Sequence, residues 1–184
     1  QMMLSARNRS GIEAVPTILK AVAHATGMRF AAVARVTESR WTACAVHDSI
    51  GFGLQPGAEL ALETTLCNEI RQNGKPLSFG HASLHPVFAN HPAPGRHGFE
   101  SHISVPIVRH DGRFFGTLCA LDPLPAKLDD PHVLQTLELF AQLIAAQLDS
   151  DDRLARSDEE LSASHDRARL REQFIAVLGH DLRN

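Results

Sequence analysis

The chain has 184 residues, of which 43% are hydrophobic, and its formal net charge at pH 7 is -3. A chain of this length can bury one core of roughly 120–150 residues and still carry an extension. It lacks the excess of positive charge that dominates nucleic-acid binding, and no apolar run approaches the roughly 18–20 residues that a bilayer crossing needs. We therefore expect a cytoplasmic segment with no nucleic-acid partner and no membrane span.

The first elements that the sequence predicts are a helix, a β-hairpin and a second helix. Residues 11–26 repeat apolar side chains at helical spacing and are followed by glycine, which is typical of an amphipathic helix. The runs Phe30–Thr37 and Trp41–His47 contain β-branched and aromatic residues and are joined by a short polar stretch, which indicates two antiparallel strands. Helical periodicity returns over residues 58–73, where we predict the second helix.

A second hairpin follows a long segment without periodicity. Residues 80–98 are crowded with His, Pro, Gly and Asn, so we expect loops or a short helix between loops. The runs His102–Arg109 and Arg113–Asp122 flank an Asp-Gly pair, which is a strong hairpin signal. Strands that are grouped in hairpins imply an α+β fold, with helices from both ends on one face of an antiparallel sheet and residues 80–98 over the other.

The C-terminal part of the chain predicts one long helix, because neither Gly nor Pro occurs between Pro131 and Gly179. Its first part, up to residue 148, is apolar enough to pack on the domain. Farther along, apolar residues recur at a seven-residue spacing, which keeps one seam toward a partner helix. They are Leu154, Leu161, Ala168, Ile175 and Leu182. Because the companion positions are polar, two interpretations stay open: a dimerising coiled coil, which we favour, and a solvated charged helix.

Residues 99–122, which read FESHISVPIVRHDGRFFGTLCALD, resemble the signature hairpin of GAF domains. The resemblance continues upstream through Thr65–Ile70 and Gly74–Leu77, and we assign residues 1–148 to this domain. It implies a GAF-type antiparallel sheet with flanking helices and a sensory role. It does not identify a ligand, since GAF domains bind cyclic nucleotides, bilins, haem, other small metabolites or nothing identifiable.

If the domain has a ligand pocket, we expect its walls to come from the inner side of the sheet and from the segment over it. Apolar bulk combined with a few polar groups is typical of such pockets. The candidate ligand-binding residues are Trp41, Phe79, Phe88, His97 and Phe99. The aromatic members of this set could instead fill the core under a loop, and the sequence leaves both interpretations open.

The cysteines and histidines predict no metal site. Cys44, Cys67 and Cys119 are widely spaced and fit neither a disulfide framework nor a zinc site. The eleven histidines are scattered, and Pro and Gly residues keep the nearest pairs off a continuous helix. Bilin-binding GAF proteins attach their chromophore through a cysteine in the loop after the middle helix, where this chain has none. A photoreceptor or haem sensor and a thiol-redox GAF protein are nevertheless kept as alternatives.

The end of the chain resembles the H-box of histidine kinases. Phe174–Asn184 reads FIAVLGHDLRN, in which an apolar helix face precedes His-Asp-Leu-Arg-Asn. The resemblance implies that His180 is the phosphoacceptor and that Asp181 serves as its general base or orienting group. It further implies that Asn184 positions water for the reverse, phosphatase reaction.

The order of these segments predicts the input half of a two-component sensor histidine kinase. Residues 1–148 would be the sensory domain, residues 149–172 a coiled-coil signalling helix and residues 173–184 the start of the phosphoacceptor helix. The full-length kinase would need ATP and Mg²⁺, form a homodimer through this helix and act on a response regulator. Without an ATP-binding domain these 184 residues should be inactive alone, and we expect no cofactor in them beyond a GAF ligand of unknown identity.

Overall fold

The computed structural model describes residues 14–181 of the chain, with side chains as far as residue 175. The chain divides into two compact units, one that ends at Leu148 and one that begins at Asp149. The first unit is built on a single antiparallel sheet, and the second is helical.

The sheet has six strands in the order β3-β2-β1-β6-β5-β4, and every neighbouring pair is antiparallel. In chain order the elements are α1 (Val15–Thr26), β1 (Phe30–Val36), β2 (Arg40–Asp48), β3 (Glu59–Ala61), α2 (Cys67–Asn73), β4 (Leu77–Phe79), α3 (Pro92–His97), β5 (Ser101–Val108), β6 (Phe114–Asp122) and α4 (Pro131–Asp181). Short 3₁₀ turns lie at Leu62–Thr64, Ala82–Leu84 and Phe88–Asn90. The predicted α+β class, both hairpins and the long C-terminal helix are confirmed.

Each face of the sheet carries its own cluster of buried apolar side chains. On one face, α1 and the first turns of α4 cover residues such as Ile103 and Leu118. On the other face, side chains from the connections after β2 and β4 cover Phe30, Trp41 and Cys119. Successive residues of a strand point to opposite faces, and the central strands carry buried apolar side chains on both faces. The predicted layering is confirmed: α1 and the first turns of α4 lie on one face of the sheet, and loops lie on the other.

The predicted helix over residues 58–73 is wrong in its first half. The helix α2 begins only at Cys67, and the residues before it form β3 and a 3₁₀ turn. Thr64 and Thr65 each donate a side-chain hydrogen bond to the carbonyl oxygen three residues earlier, at 2.8 and 2.9 Å. Such local bonds compete with the helical pattern, and β3 gains ladder bonds to β2 instead.

Gly116 allows β6 to lie against β1. A Cβ atom at this position would stand 1.9 Å from the carbonyl oxygen of Ala34 and 2.9 Å from its carbonyl carbon. Both are backbone atoms of the paired strand, so they cannot move aside without disturbing the sheet. The glycine in the Phe-Gly-Thr part of the signature hairpin is therefore a packing requirement.

In the second unit, α4 continues from Asp149 to Asp181. The side chains of residues 152–175 are all exposed, and they include the predicted seam residues Leu154, Leu161, Ala168 and Ile175. Leu182, the last seam residue, lies outside the described residues. The parallel dimer stays a prediction. Within residues 14–181, none of the helices combines the length and hydropathy of a membrane-spanning segment.

Candidate functional site

A partly enclosed cavity of about 50 Å³ lies between the sheet and the segments over its second face. The sheet side consists of Phe30, Trp41, Leu60, His102, Cys119 and Leu121. The cover includes Phe52 and Leu54 from the β2–β3 connection, Cys67 at the start of α2, and His97 at the end of α3. The cavity is thus assembled from elements that are far apart in the chain.

Three of the five candidate pocket residues, Trp41, His97 and Phe99, line this cavity. Phe79 and Phe88 do not belong to its lining, and their rings stack on one another with centroids 4.6 Å apart. Phe79 also stacks on the cavity residue His102, with ring centroids 5.7 Å apart. The two remaining candidates therefore form an aromatic stack that supports one side of the cavity.

His102 is a cavity residue that the sequence analysis missed. Its side chain is buried, with 4% exposure, and burial lowers its pKa to about 3, so the ring is neutral near pH 7. Nε2 lies 3.1 Å from the Oγ atom of Ser104, whereas Nδ1 has no hydrogen-bond partner among the described residues. A buried polar atom without a hydrogen-bond partner lowers the free energy of unfolding by about 1–3 kcal/mol. In the sequence, His102 is only one of the histidines, the first residue of the predicted strand His102–Arg109.

Three other polar groups of the cavity have partners. Nε2 of His97 lies 2.9 Å from the carbonyl oxygen of Thr64, and the hydroxyl of Thr65 donates to the carbonyl oxygen of Leu62. The Sγ atom of Cys67 lies 3.2 Å from the hydroxyl oxygen of Thr117. Among the described residues, no Asp, Glu, Lys or Arg side chain lines the cavity. The site is therefore apolar, and its unmade hydrogen bond is at His102.

Two of the three cysteines, Cys67 and Cys119, line the cavity, while Cys44 packs against the cluster on the opposite face of the sheet. All three are free thiols, and burial raises the pKa of each. A raised pKa reduces the thiolate fraction and with it the nucleophilicity. Among the described residues, no three His, Cys, Asp or Glu side chains are grouped so that they could hold a metal ion.

Two of the three predicted catalytic residues, His180 and Asp181, lie at the end of α4. His180 and Asp181 belong to the helix, but their side chains fall outside the described side chains, and Asn184 lies outside the described residues altogether. The geometry of the H-box is therefore not part of the site described above, and the roles assigned to these three residues stay predictions.

The family model described as GAF domain matches residues 10–148. The chain belongs to the GAF domain family. A search of the curated proteins found no match. The cavity thus lies in a domain of a class whose members share a scaffold and differ in what they bind.

Solved structures confirm the fold. The GAF domain of an Acinetobacter phosphoenolpyruvate-protein phosphotransferase is similar with a TM-score of 0.58 and 15% identity over 85% of this chain and 99% of that chain. The chromophore-binding domain of a bacteriophytochrome from R. palustris is similar with a TM-score of 0.61 and 14% identity, over 83% of this chain and 63% of that chain. A type II free methionine-R-sulfoxide reductase from Thermoplasma acidophilum is similar with a TM-score of 0.59 and 14% identity, over 77% of this chain and 94% of that chain. At these identities the likeness concerns the fold.

Proposed function

We propose that this chain is the sensory input region of a two-component sensor histidine kinase. The GAF domain binds a small ligand in the cavity beneath α2 and α3. Binding changes the packing of the C-terminal helices of two protomers, and this change controls the access of a catalytic domain to His180. The full-length protein is a cytoplasmic homodimer that uses ATP and Mg²⁺ and passes the phosphoryl group to a response regulator.

The observation that carries this proposal is the position of the H-box resemblance on α4. Leu137, Ala141 and Ile144 of this helix are buried in the core of the GAF domain, and the same helix extends to Asp181. A helix that begins in a sensory domain and ends in a phosphoacceptor motif can transmit a change of packing along its length. The motif itself supplies an imidazole nucleophile beside a carboxylate.

The exposed seam on α4 supports the dimer. Leu154, Leu161 and Ile175 are 63%, 58% and 59% exposed in the single chain, and isolated helices with such a row gain stability when the row is covered. A parallel pair places two copies of the phosphoacceptor symmetrically about the two-fold axis. The polar companion positions weaken the seam, which suits an element that must change its packing.

The cavity disfavours two of the ligand and activity classes known for this fold. A cyclic nucleotide carries a phosphate, and none of the described Lys and Arg side chains lines the cavity to pair with it. A thiol-redox activity requires reactive thiolates, but burial raises the pKa of Cys67 and Cys119. A sensor for a small uncharged ligand therefore fits the cavity better than either class.

The proposal is tested with the protein extended through its remaining kinase domains. Incubation with labelled ATP should give acid-labile phosphate on His180, and His180→Gln should abolish it. Asp181→Asn should slow the transfer about 10²–10⁴-fold if the carboxylate is the general base. The matched control is His165→Gln, an exposed histidine on the same helix, which should leave labelling unchanged. Full labelling of the His180→Gln protein would contradict the proposed function.

A further inference from the structure

We infer that the cavity takes a small uncharged molecule, up to the size of a single ring, whose one hydrogen-bonding group pairs with Nδ1 of His102. The inference rests on the proposed function in one respect, namely that this cavity is the ligand site of the domain. It adds the chemical class of the ligand and the residue that recognises it.

The absence of charge among the cavity side chains restricts the ligand. In the part of the chain that the structure describes, no Asp, Glu, Lys or Arg lines the cavity, and aromatic, aliphatic and thiol groups make up most of its walls. An ionic ligand would lose its hydration without gaining a counter-ion, which is strongly unfavourable. The ligand is therefore neutral, and most of its surface is apolar.

His102 provides one polar group for recognition. The ring is confined by Phe79 and Phe99, with centroid distances of 5.7 and 5.5 Å, and its Nε2 atom lies 3.1 Å from Ser104. Nδ1 is left without a partner among the described residues. If the hydroxyl of Ser104 donates to Nε2, Nδ1 carries the proton and is a donor; in the other tautomer Nδ1 is an acceptor. A ligand hydroxyl can satisfy either tautomer.

The cavity as it stands is smaller than a ring-sized ligand needs. An apolar protein cavity of about 150 Å³ holds benzene, whereas the cavity here is about 50 Å³. A ring therefore requires the cover of the cavity to move outward. Phe52 and Leu54 are only partly buried and belong to residues 49–58, which contain neither helix nor strand among them. They lie outside the strands, in a segment whose backbone N–H groups at Ile50 and Gly53 each donate to the Asp48 carboxylate at 3.0 Å.

Phenol and toluene test the inference, because the two molecules have similar size and only phenol has a hydroxyl group. Trp41 is the sole tryptophan of the chain and lines the cavity, so its fluorescence reports occupancy. The native protein should bind phenol more tightly than toluene. In His102→Phe, the dissociation constant of phenol should rise roughly 3–10-fold, as expected for one lost hydrogen bond, and that of toluene should change less than about twofold. Retained toluene binding also shows that the variant is folded.

A spectroscopic measurement on the native protein does not depend on the variant. In protein labelled with ¹⁵N at histidine, the Nδ1 signal of His102 should shift when phenol is added and should stay nearly unchanged with toluene. Benzoate, which is similar in size but anionic, should not bind detectably.

The inference is overturned if the native protein binds neither phenol nor toluene, if benzoate binds as tightly as phenol, or if phenol leaves the Nδ1 signal of His102 unchanged. Equal weakening of phenol and toluene in His102→Phe would also overturn it, because the residue would then only shape the cavity. None of these results bears on phosphorylation of His180, which tests the proposed function separately.

Discussion

Arg29 and Asp122 form a doubly hydrogen-bonded ion pair at the end of the β1–β6 ladder. Nε and Nη2 of Arg29 donate to the two carboxylate oxygens at 2.8 and 2.7 Å, and the backbone N–H of Arg29 adds a bond of 3.0 Å. The carboxylate also accepts a bond from the N–H of Leu124 at 2.9 Å. The pair therefore joins the start of β1 to the chain segment that leaves β6 toward α4. The Arg29 guanidinium lowers the pKa of Asp122 to about 2.

This ion pair predicts an acid-dependent loss of stability. The folded-state pKa of Asp122 lies below the unfolded value of about 3.9, so the stabilisation is fully present above about pH 5 and is lost as the pH falls toward about 2. Asp122→Asn should lower the free energy of unfolding at pH 7 by on the order of 2 kcal/mol and should flatten its change over that acid range. Urea unfolding at several pH values measures both effects.

The matched control for Asp122 is Glu59→Gln, which removes an exposed carboxylate paired with Arg40 on the surface. Exposed ion pairs contribute little, so this variant should keep nearly the native stability and most of its acid dependence. Equal destabilisation by the two substitutions would show that the burial of the Asp122 carboxylate is unimportant.

Gly116 predicts a large effect of one added methyl group. In Gly116→Ala the Cβ atom would meet the backbone of Ala34, so the substitution should lower the free energy of unfolding by about 1–3 kcal/mol or more. Gly95→Ala is the control, because no heavy atom of the described residues lies within 4 Å of a Cβ atom at that position. Thermal unfolding followed by circular dichroism compares the two. Similar melting temperatures for both variants would exclude the close strand approach.

The seam on α4 predicts how the chain associates. Replacing Leu161 and Ile175 with Glu places like charges against each other in a parallel dimer, so light scattering should find a monomer where the native chain gives a dimer. Ala163→Glu puts the same charge on another face of the helix and should leave the dimer intact. An unchanged dimer in the double variant would rule out this seam and favour the interpretation of a solvated charged helix.

The cysteines predict an order of thiol reactivity. Cys44 is half-buried, whereas Cys67 and Cys119 are buried, and burial raises the pKa of all three. Iodoacetamide near neutral pH should therefore label Cys44 first, and the other two only after unfolding. Peptide mass spectrometry counts the labelled thiols, and the unfolded protein serves as the control. Rapid labelling of Cys67 or its oxidation by dilute peroxide would reopen the thiol-redox alternative.

The sequence by itself determined the elements whose signals are local. The Asp111-Gly112 pair predicts the turn between β5 and β6, and Gly112 indeed has φ of 82°, which a side chain would disfavour. The uninterrupted run after Pro131 predicts α4. The signature residues 99–122 identify the GAF fold. Each of these predictions depends on residues within one continuous stretch of the chain, which a sequence displays directly.

Only the tertiary structure decided where β3 forms and what the cavity contains. Residues 59–61 belong to a longer stretch with helical periodicity, but strand pairing with β2 and the side-chain hydrogen bonds of Thr64 and Thr65 outweigh that pattern. In the sequence, His102 is one histidine among eleven. In the fold, α2, α3 and the β2–β3 connection cover it, and its Nδ1 atom has no partner among the described residues. Burial and hydrogen-bond satisfaction depend on residues distant in the chain, so no local pattern could single out this ring.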